Sequence, residues 1–149
     1  MEWVKALRGS VVGLDTAPLI YFIEESPAYL VSLRAFFGAV DQGEFRVTTS
    51  ILTLTEVLVH PLRQGNHRLA EEYRRILLHA NYIDTLPVSE DIAEEAAQLR
   101  SKHNLRTPDA IHLATAITAG ASSFLTNDSR LSGPATPKIL VLNDLVAPS

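Results

Sequence analysis

The chain has 149 residues, the size of one domain, and its 46% hydrophobic and 20% charged residues exclude a disordered chain and supply a core. It contains no cysteine, which excludes disulfide frameworks and cysteine-held zinc or iron–sulfur centres. With 13 basic against 17 acidic residues the formal net charge is −4, which argues against a generic basic nucleic-acid coat.

The opening Met1-Glu2-Trp3-Val4-Lys5 lacks a charged leader followed by a long apolar run. No apolar run reaches the ~18 residues of a membrane span. A cytoplasmic protein with no membrane partner is expected. Val11 to Asp15 is a short apolar run ending in an acid and predicts a buried strand. Thr16 to Glu24 is amphipathic and predicts a helix. Ser26-Pro27 has the form of an N-cap with proline in the first turn, opening a helix through Leu30, Leu33, Phe36 and Phe37 that stops before Gly43.

Phe45 to Thr49 predicts a second strand, and Ser50 a cap for a helix to about His60, where Pro61 discourages continuation. Asn66 caps a further helix through Tyr73, Ile76 and Leu77. Tyr82 to Leu86 is a third strand. Ser89, followed by Glu90 and Asp91, begins a helix to about Lys102, since carboxylates favour the positive end of the dipole. Thr107-Pro108 begins another that ends at Gly120. Ser123 to Thr126 and Ile139 to Leu142 are the last strands, separated by a Ser-, Gly- and Pro-rich loop over 129–137. Strands alternating with helices predict a parallel sheet covered on both faces: one three-layer α/β/α domain over residues 1–149.

Four acids are placed suggestively. Asp15 and Asp128 follow separate strands, Asp109 begins a helix, and Glu56 lies on a helix with Thr53 and His60 on one face and Ile51, Leu54 and Leu58 on another. Each has an ordinary alternative: a turn or cap for Asp15, a solvated stripe for Glu56, a dipole partner for Asp109, an Asx turn for Asp128. If the first and fourth strands are neighbours, the acids meet in one crevice beyond the strand carboxyl ends, where open parallel sheets bind ligands. Four carboxylates together repel and call for a cation, and their hard oxygens suit Mg²⁺ or Mn²⁺ rather than zinc. Without metal, that repulsion should raise some of their pKa values. Setting the four aside leaves 13 acids against 13 bases, so a metal-loaded surface could present positive potential to a phosphate.

Several neighbours are further candidates. Thr126 and Asn127 either orient a ligand or make turn hydrogen bonds. His112, one turn after Asp109, either faces the cleft or is packed or solvated. Arg106 and Arg130 are the best placed of the basic residues to contact phosphate; Arg100, Lys102 and His103 share the alternative of a basic helix end.

The sequence resembles the PIN domain family across nearly its whole length. The resemblance is carried by Gly13-Leu14-Asp15-Thr16-Ala17-Pro18-Leu19-Ile20-Tyr21, Thr55-Glu56-Val57, Thr107-Pro108-Asp109-Ala110-Ile111-His112-Leu113-Ala114-Thr115-Ala116 and Leu125-Thr126-Asn127-Asp128. The third block is the most specific. The opening block and the chain length are similar to VapC-type toxins. The resemblance implies a central parallel sheet, cleavage of RNA by metal-activated water, and Asp15, Glu56, Asp109 and Asp128 as catalytic, metal-holding acids. It also implies a VapB-type antitoxin that blocks the site, and a homodimer, for which Leu30, Leu33 and Phe37 offer apolar surface. Ala17 departs from the polar Ser or Asn of many relatives, which removes one hydrogen bond but no metal ligand. The competing readings are a PIN-like RNA-processing or DNA-acting nuclease without an antitoxin, and a non-catalytic interaction module. A phosphatase-like Mg²⁺ enzyme would want a second Asp two residues after the first, and Asp15-Thr16-Ala17 lacks it.

Overall fold

The computed structural model describes residues 1–146. Five strands form one sheet: β1 (Val11–Leu14), β2 (Arg46–Ser50), β3 (Ile83–Leu86), β4 (Ser123–Thr126) and β5 (Lys138–Val141). Their order is β3-β2-β1-β4-β5 and every pairing is parallel. The chain therefore winds outward from β1 in one direction and returns to lay β4 against its other side. Val12 sits opposite Val47 on β2 and Ser123 on β4. The boundary between β1 and β4 is the switch point of the sheet, where a crevice opens beyond the strand ends.

Eight helices accompany the strands among the described residues: α1 (Glu2–Lys5), α2 (Thr16–Ile23), α3 (Leu30–Asp41), α4 (Ile51–Arg63), α5 (His67–His79), α6 (Glu90–Lys102), α7 (Thr107–Thr118) and α8 (Leu142–Leu145). Two apolar cores form around the sheet. One gathers Val12, Leu14, Val47 and Leu125 with Leu19, Leu33, Phe36, Phe37 and Tyr73. The other packs Phe124 against Ile92 and Leu99 of α6 and Ala110, Leu113 and Ala114 of α7. Full burial of one such leucine or phenylalanine contributes about 1.5–3 kcal/mol. This is the α/β/α architecture that the strand–helix alternation predicts. No helix of the described residues is long and apolar enough to cross a membrane.

Three helix boundaries differ from the sequence expectation. Helix α3 begins at Leu30, not after Ser26, because the Ser26 carbonyl accepts from both Tyr29 and Leu30 N–H groups in a preceding turn, and Glu25 has φ of 54°. Helix α4 continues through Pro61 to Arg63. The ring removes a donor only near the helix end, where few bonds remain to lose, and the Pro61 carbonyl accepts from Asn66 N–H at 2.8 Å to lead the chain into α5. Helix α7 is capped by Arg106, not Thr107, so Asp109 is its third residue. The cap side chains expected of Ser50, Asn66 and Ser89 accept from Leu52, Leu69 and Ile92 N–H groups.

Gly13 sets how closely α7 approaches the sheet. A Cβ there would lie 2.5 Å from the Ala116 Cβ and 2.8 Å from the Phe124 ring. Neither neighbour can rotate away, since one is a helix methyl and the other a buried ring. Gly13→Ala should therefore cost about 1–3 kcal/mol of stability, the usual range for overpacking. Urea unfolding is the measurement. An unchanged midpoint would show that α7 can lift off the sheet freely.

Candidate active site

Each of the four acids is delivered by a different element to the same end of the sheet. Asp15 follows β1 and is the N-cap of α2; its backbone N–H still donates to the Leu125 carbonyl at 2.9 Å. Asp128 lies two residues beyond β4, the strand paired with β1. Asp109 lies in the first turn of α7, and Glu56 in the middle of α4. All four line one open cleft of about 420 Å³, with Arg106 and Arg130 on the same walls. A larger hollow of about 610 Å³ lies between α2, α3 and α5. It is floored by Phe22, Phe37 and Val40, and its charges, Asp41 and Glu72 with Arg68 and Arg75, are of both signs. The convergence of one kind of reactive group makes the smaller cleft the candidate chemical site.

The acids are held, not loose. Asp15 accepts from the Thr16 N–H at 2.8 Å on one oxygen and from the Thr126 hydroxyl at 2.7 Å on the other. Thr126 also accepts from the Asp128 N–H at 3.1 Å, so one buried hydroxyl ties the two strand-end acids together. Glu56 Oε1 accepts from the Thr16 hydroxyl at 2.8 Å and from His112 Nε2 at 2.6 Å. Arg106 Nε donates to Asp109 at 3.2 Å. The Arg130 N–H and Nε donate to Asp128 Oδ1 at 3.0 and 3.4 Å.

These partners change one expectation. The hydrogen bond from His112 holds the Glu56 carboxyl below its ordinary range, outweighing the partial burial that pushes it up, and the Thr16 hydroxyl acts in the same direction. The shift at Glu56 is thus opposite to the rise expected from mutual repulsion. Hydrogen bonds to the charged form favour it. Among the described residues, no three of the His, Asp and Glu side chains are gathered as a ready-made metal cage. The donor chemistry nonetheless fits a hard cation: four carboxylates on four elements share one cleft. The arginines beside two of them have side chains 81% and 91% exposed, so they can turn outward without disturbing the core.

The other candidates separate clearly. Thr126 and His112 touch the acids, and His112 is buried rather than solvated. Arg106 and Arg130 pair with two of them. Asn127 touches none: its amide donates to the Tyr29 hydroxyl at 3.2 Å and accepts from the Asn143 N–H at 2.9 Å, pinning α8 to the turn before α3. Arg100 is structural, donating to the Leu105 carbonyl and the Thr107 hydroxyl across the α6–α7 turn. The residue that the sequence did not single out is Thr16, whose backbone serves Asp15 and whose hydroxyl serves Glu56. Its one signal was its place immediately after Asp15.

An all-parallel α/β domain with carboxylates gathered at its switch point holds them where open sheets bind ligands. The chain belongs to the PIN domain family, whose profile matches residues 12–136. Among solved structures it is similar to a toxin–antitoxin complex from Klebsiella pneumoniae, with a TM-score of 0.65 and 24% identity over 89% of this chain and 98% of that one. It is also similar to VapC20 of Mycobacterium tuberculosis, a sarcin–ricin loop cleaving toxin (TM-score 0.62, 20% identity, 77% and 87% covered). A third is VapBC2 of Rickettsia felis bound to a promoter DNA fragment (TM-score 0.61, 15% identity, 79% and 88% covered). Comparison with curated protein sequences gives no significant match.

Proposed function

We propose that the protein is a Mg²⁺- or Mn²⁺-dependent endoribonuclease and the toxin of a VapBC-type toxin–antitoxin pair. The observation that carries this reading is the convergence of Asp15, Glu56, Asp109 and Asp128 on one cleft with Arg106 and Arg130 at its wall. Those four acids would hold the metal. When bound, such an ion supplies Lewis-acid polarisation of a phosphodiester and a lowered pKa for water. The protein's own residues do the rest. Thr126 and Thr16 fix Asp15, so its carboxylate does not have to be ordered during the reaction. Arg106 and Arg130 stand within reach of both the acids and the solvent, and a phosphate entering the cleft offers each guanidinium a bidentate partner.

The same electrostatics supports an antitoxin partner. An Arg or Lys inserted from a second chain would satisfy the carboxylates and compete with metal and substrate, and two of the structures described above are of toxin–antitoxin systems. A cytoplasmic setting accompanies this reading, because the RNA and the antitoxin are both found there. A homodimer rests chiefly on family precedent: of the apolar residues expected to offer a surface, Leu33 and Phe37 are buried inside the protomer and Leu30 alone is partly exposed.

Purified, partner-free protein is expected to cut single-stranded RNA with Mg²⁺ or Mn²⁺ and to stop in EDTA. Undiminished cutting in EDTA would overturn the metal mechanism. Expression alone should slow growth, and coexpression with the product of an adjacent small gene should relieve it. A protein that cuts RNA with metal yet is harmless and copurifies with nothing is the RNA-processing enzyme without an antitoxin.

A further inference from the structure

His112 is 4% exposed on α7 and meets, from behind, the Glu56 side chain that lines the acid cleft. Its buried neighbours along the helix are the apolar Ala110, Leu113, Ala114 and Ala116, and Thr115, whose hydroxyl is spent on the Ile111 carbonyl. An imidazole there costs free energy unless its polar atoms are paired. Only one of them is. Nε2 lies 2.6 Å from Glu56 Oε1, while Nδ1 has no partner among the described residues. The ring's one close polar partner is Glu56; the Thr16 hydroxyl stands 3.4 Å from the same nitrogen.

The same carboxylate oxygen receives the Thr16 hydroxyl at 2.8 Å, and that hydroxyl does not stand alone. It is 3.3 Å from the Thr53 hydroxyl, which is 3.2 Å from that of Thr49, which donates to the Leu14 carbonyl at 3.0 Å. A row of hydroxyls therefore runs from the end of β1 through β2 and α4 to the imidazole on α7. Both donors converge on Oε1. Glu56 Oε2 has no hydrogen-bond partner among the described residues.

We propose that His112 is a positioning residue: with Thr16 it pins Glu56 by one oxygen and leaves the other free to ligate a divalent cation in the cleft. This rests on the metal reading given above. Partners that orient a ligand from behind are worth about 10–100-fold in metal affinity. A histidine present only to fill space would have no such effect.

Mn²⁺ affinity, read from the electron paramagnetic resonance signal of the free ion, tests this in wild type and in His112→Gln, His112→Met and His112→Asn. The Gln amide nitrogen falls near the position of Nε2 and can donate to Glu56. Met fills the space without a donor, and the Asn nitrogen falls near Nδ1, too short to reach. His112→Met and His112→Asn should bind Mn²⁺ about tenfold or more weakly, with His112→Gln close to wild type. In a Glu56→Gln background, the Met and Asn changes should have no further effect. Melting in EDTA identifies which variants fold, and either of the two non-donors suffices. Wild-type affinity in a folded non-donor variant, or an equal loss in both backgrounds, would overturn the positioning role alone. Wild-type protein that binds no Mn²⁺ would overturn the metal reading and this inference with it.

Discussion

Asp15→Asn is expected to lower metal-dependent RNA cleavage by about 100-fold or more, beyond the usual effect of losing a mere supporting group. The substitution removes a charge and almost nothing else. The Asn carbonyl can still accept the Thr16 N–H, as Asp15 Oδ1 does at 2.8 Å. On the other side, the Thr126 hydroxyl now donating to Oδ2 can rotate to accept from the Asn amide. Helix α2 keeps its cap, because Asn serves there as well as Asp. Melting in EDTA should accordingly stay near that of wild type. Asp109→Asn should act in the same direction; it gives up the Arg106 pair, whose exposed arginine makes it worth little to stability. The measurement is the single-turnover rate on one labelled RNA at saturating Mn²⁺. Wild-type rates in both variants would remove these acids from the mechanism.

Mn²⁺ should raise the melting temperature of wild type by roughly 5–10 °C at about 100 times its dissociation constant, and that of Asp109→Asn by much less. Preferential binding to the native state at that excess is worth about 2.7 kcal/mol, and each kcal/mol moves a domain of this size by about 2–4 °C. Acidity should reduce the gain, because protons compete for the carboxylates. It should also act on the metal-free protein. The Glu56 carboxyl is depressed by His112 and Thr16, so its contribution to stability is complete above the ordinary glutamate range. It is lost as pH falls through the folded value. The comparison therefore belongs near neutral pH. Equal Mn²⁺-induced shifts in the two proteins would identify Asp109 as a helix-start carboxylate with no share in the metal.

Much of this arrangement was legible from residue order. The strand at Val11–Leu14 is a short apolar run, that at Ser123–Thr126 follows a helix that stops before Gly120, and the caps at Ser50, Asn66 and Ser89 announce their helices. The adjacency of β1 and β4 was only a condition in the sequence, because strand order depends on long-range pairing that no local pattern encodes. Once that pairing holds, Asp15 and Asp128 must be neighbours. The pairing of each acid with a donor was not legible. Arg106 and Arg130 lie near Asp109 and Asp128 in sequence, but rotamers decide whether they meet. His112 and Glu56 are 56 residues apart and meet because α7 and α4 both pack against β2. The four-residue helices α1 and α8 are shorter than a periodicity can reveal.

The order of the strands also governs when the cleft comes into being. Asp15 and Glu56 leave the ribosome early, but the hydrogen bond that joins Asp15 to Thr126 spans 111 residues. Strand β4 cannot settle beside β1 until that length has been made and released, and contacts of such separation form late. Until then Asp15, at the end of β1, and Glu56, on α4, stand without Asp109, Asp128 or the two arginines. If RNA is the target, the ribosome translating this chain meets no complete cleft until Asp128 and Arg130 have emerged and β4 has docked.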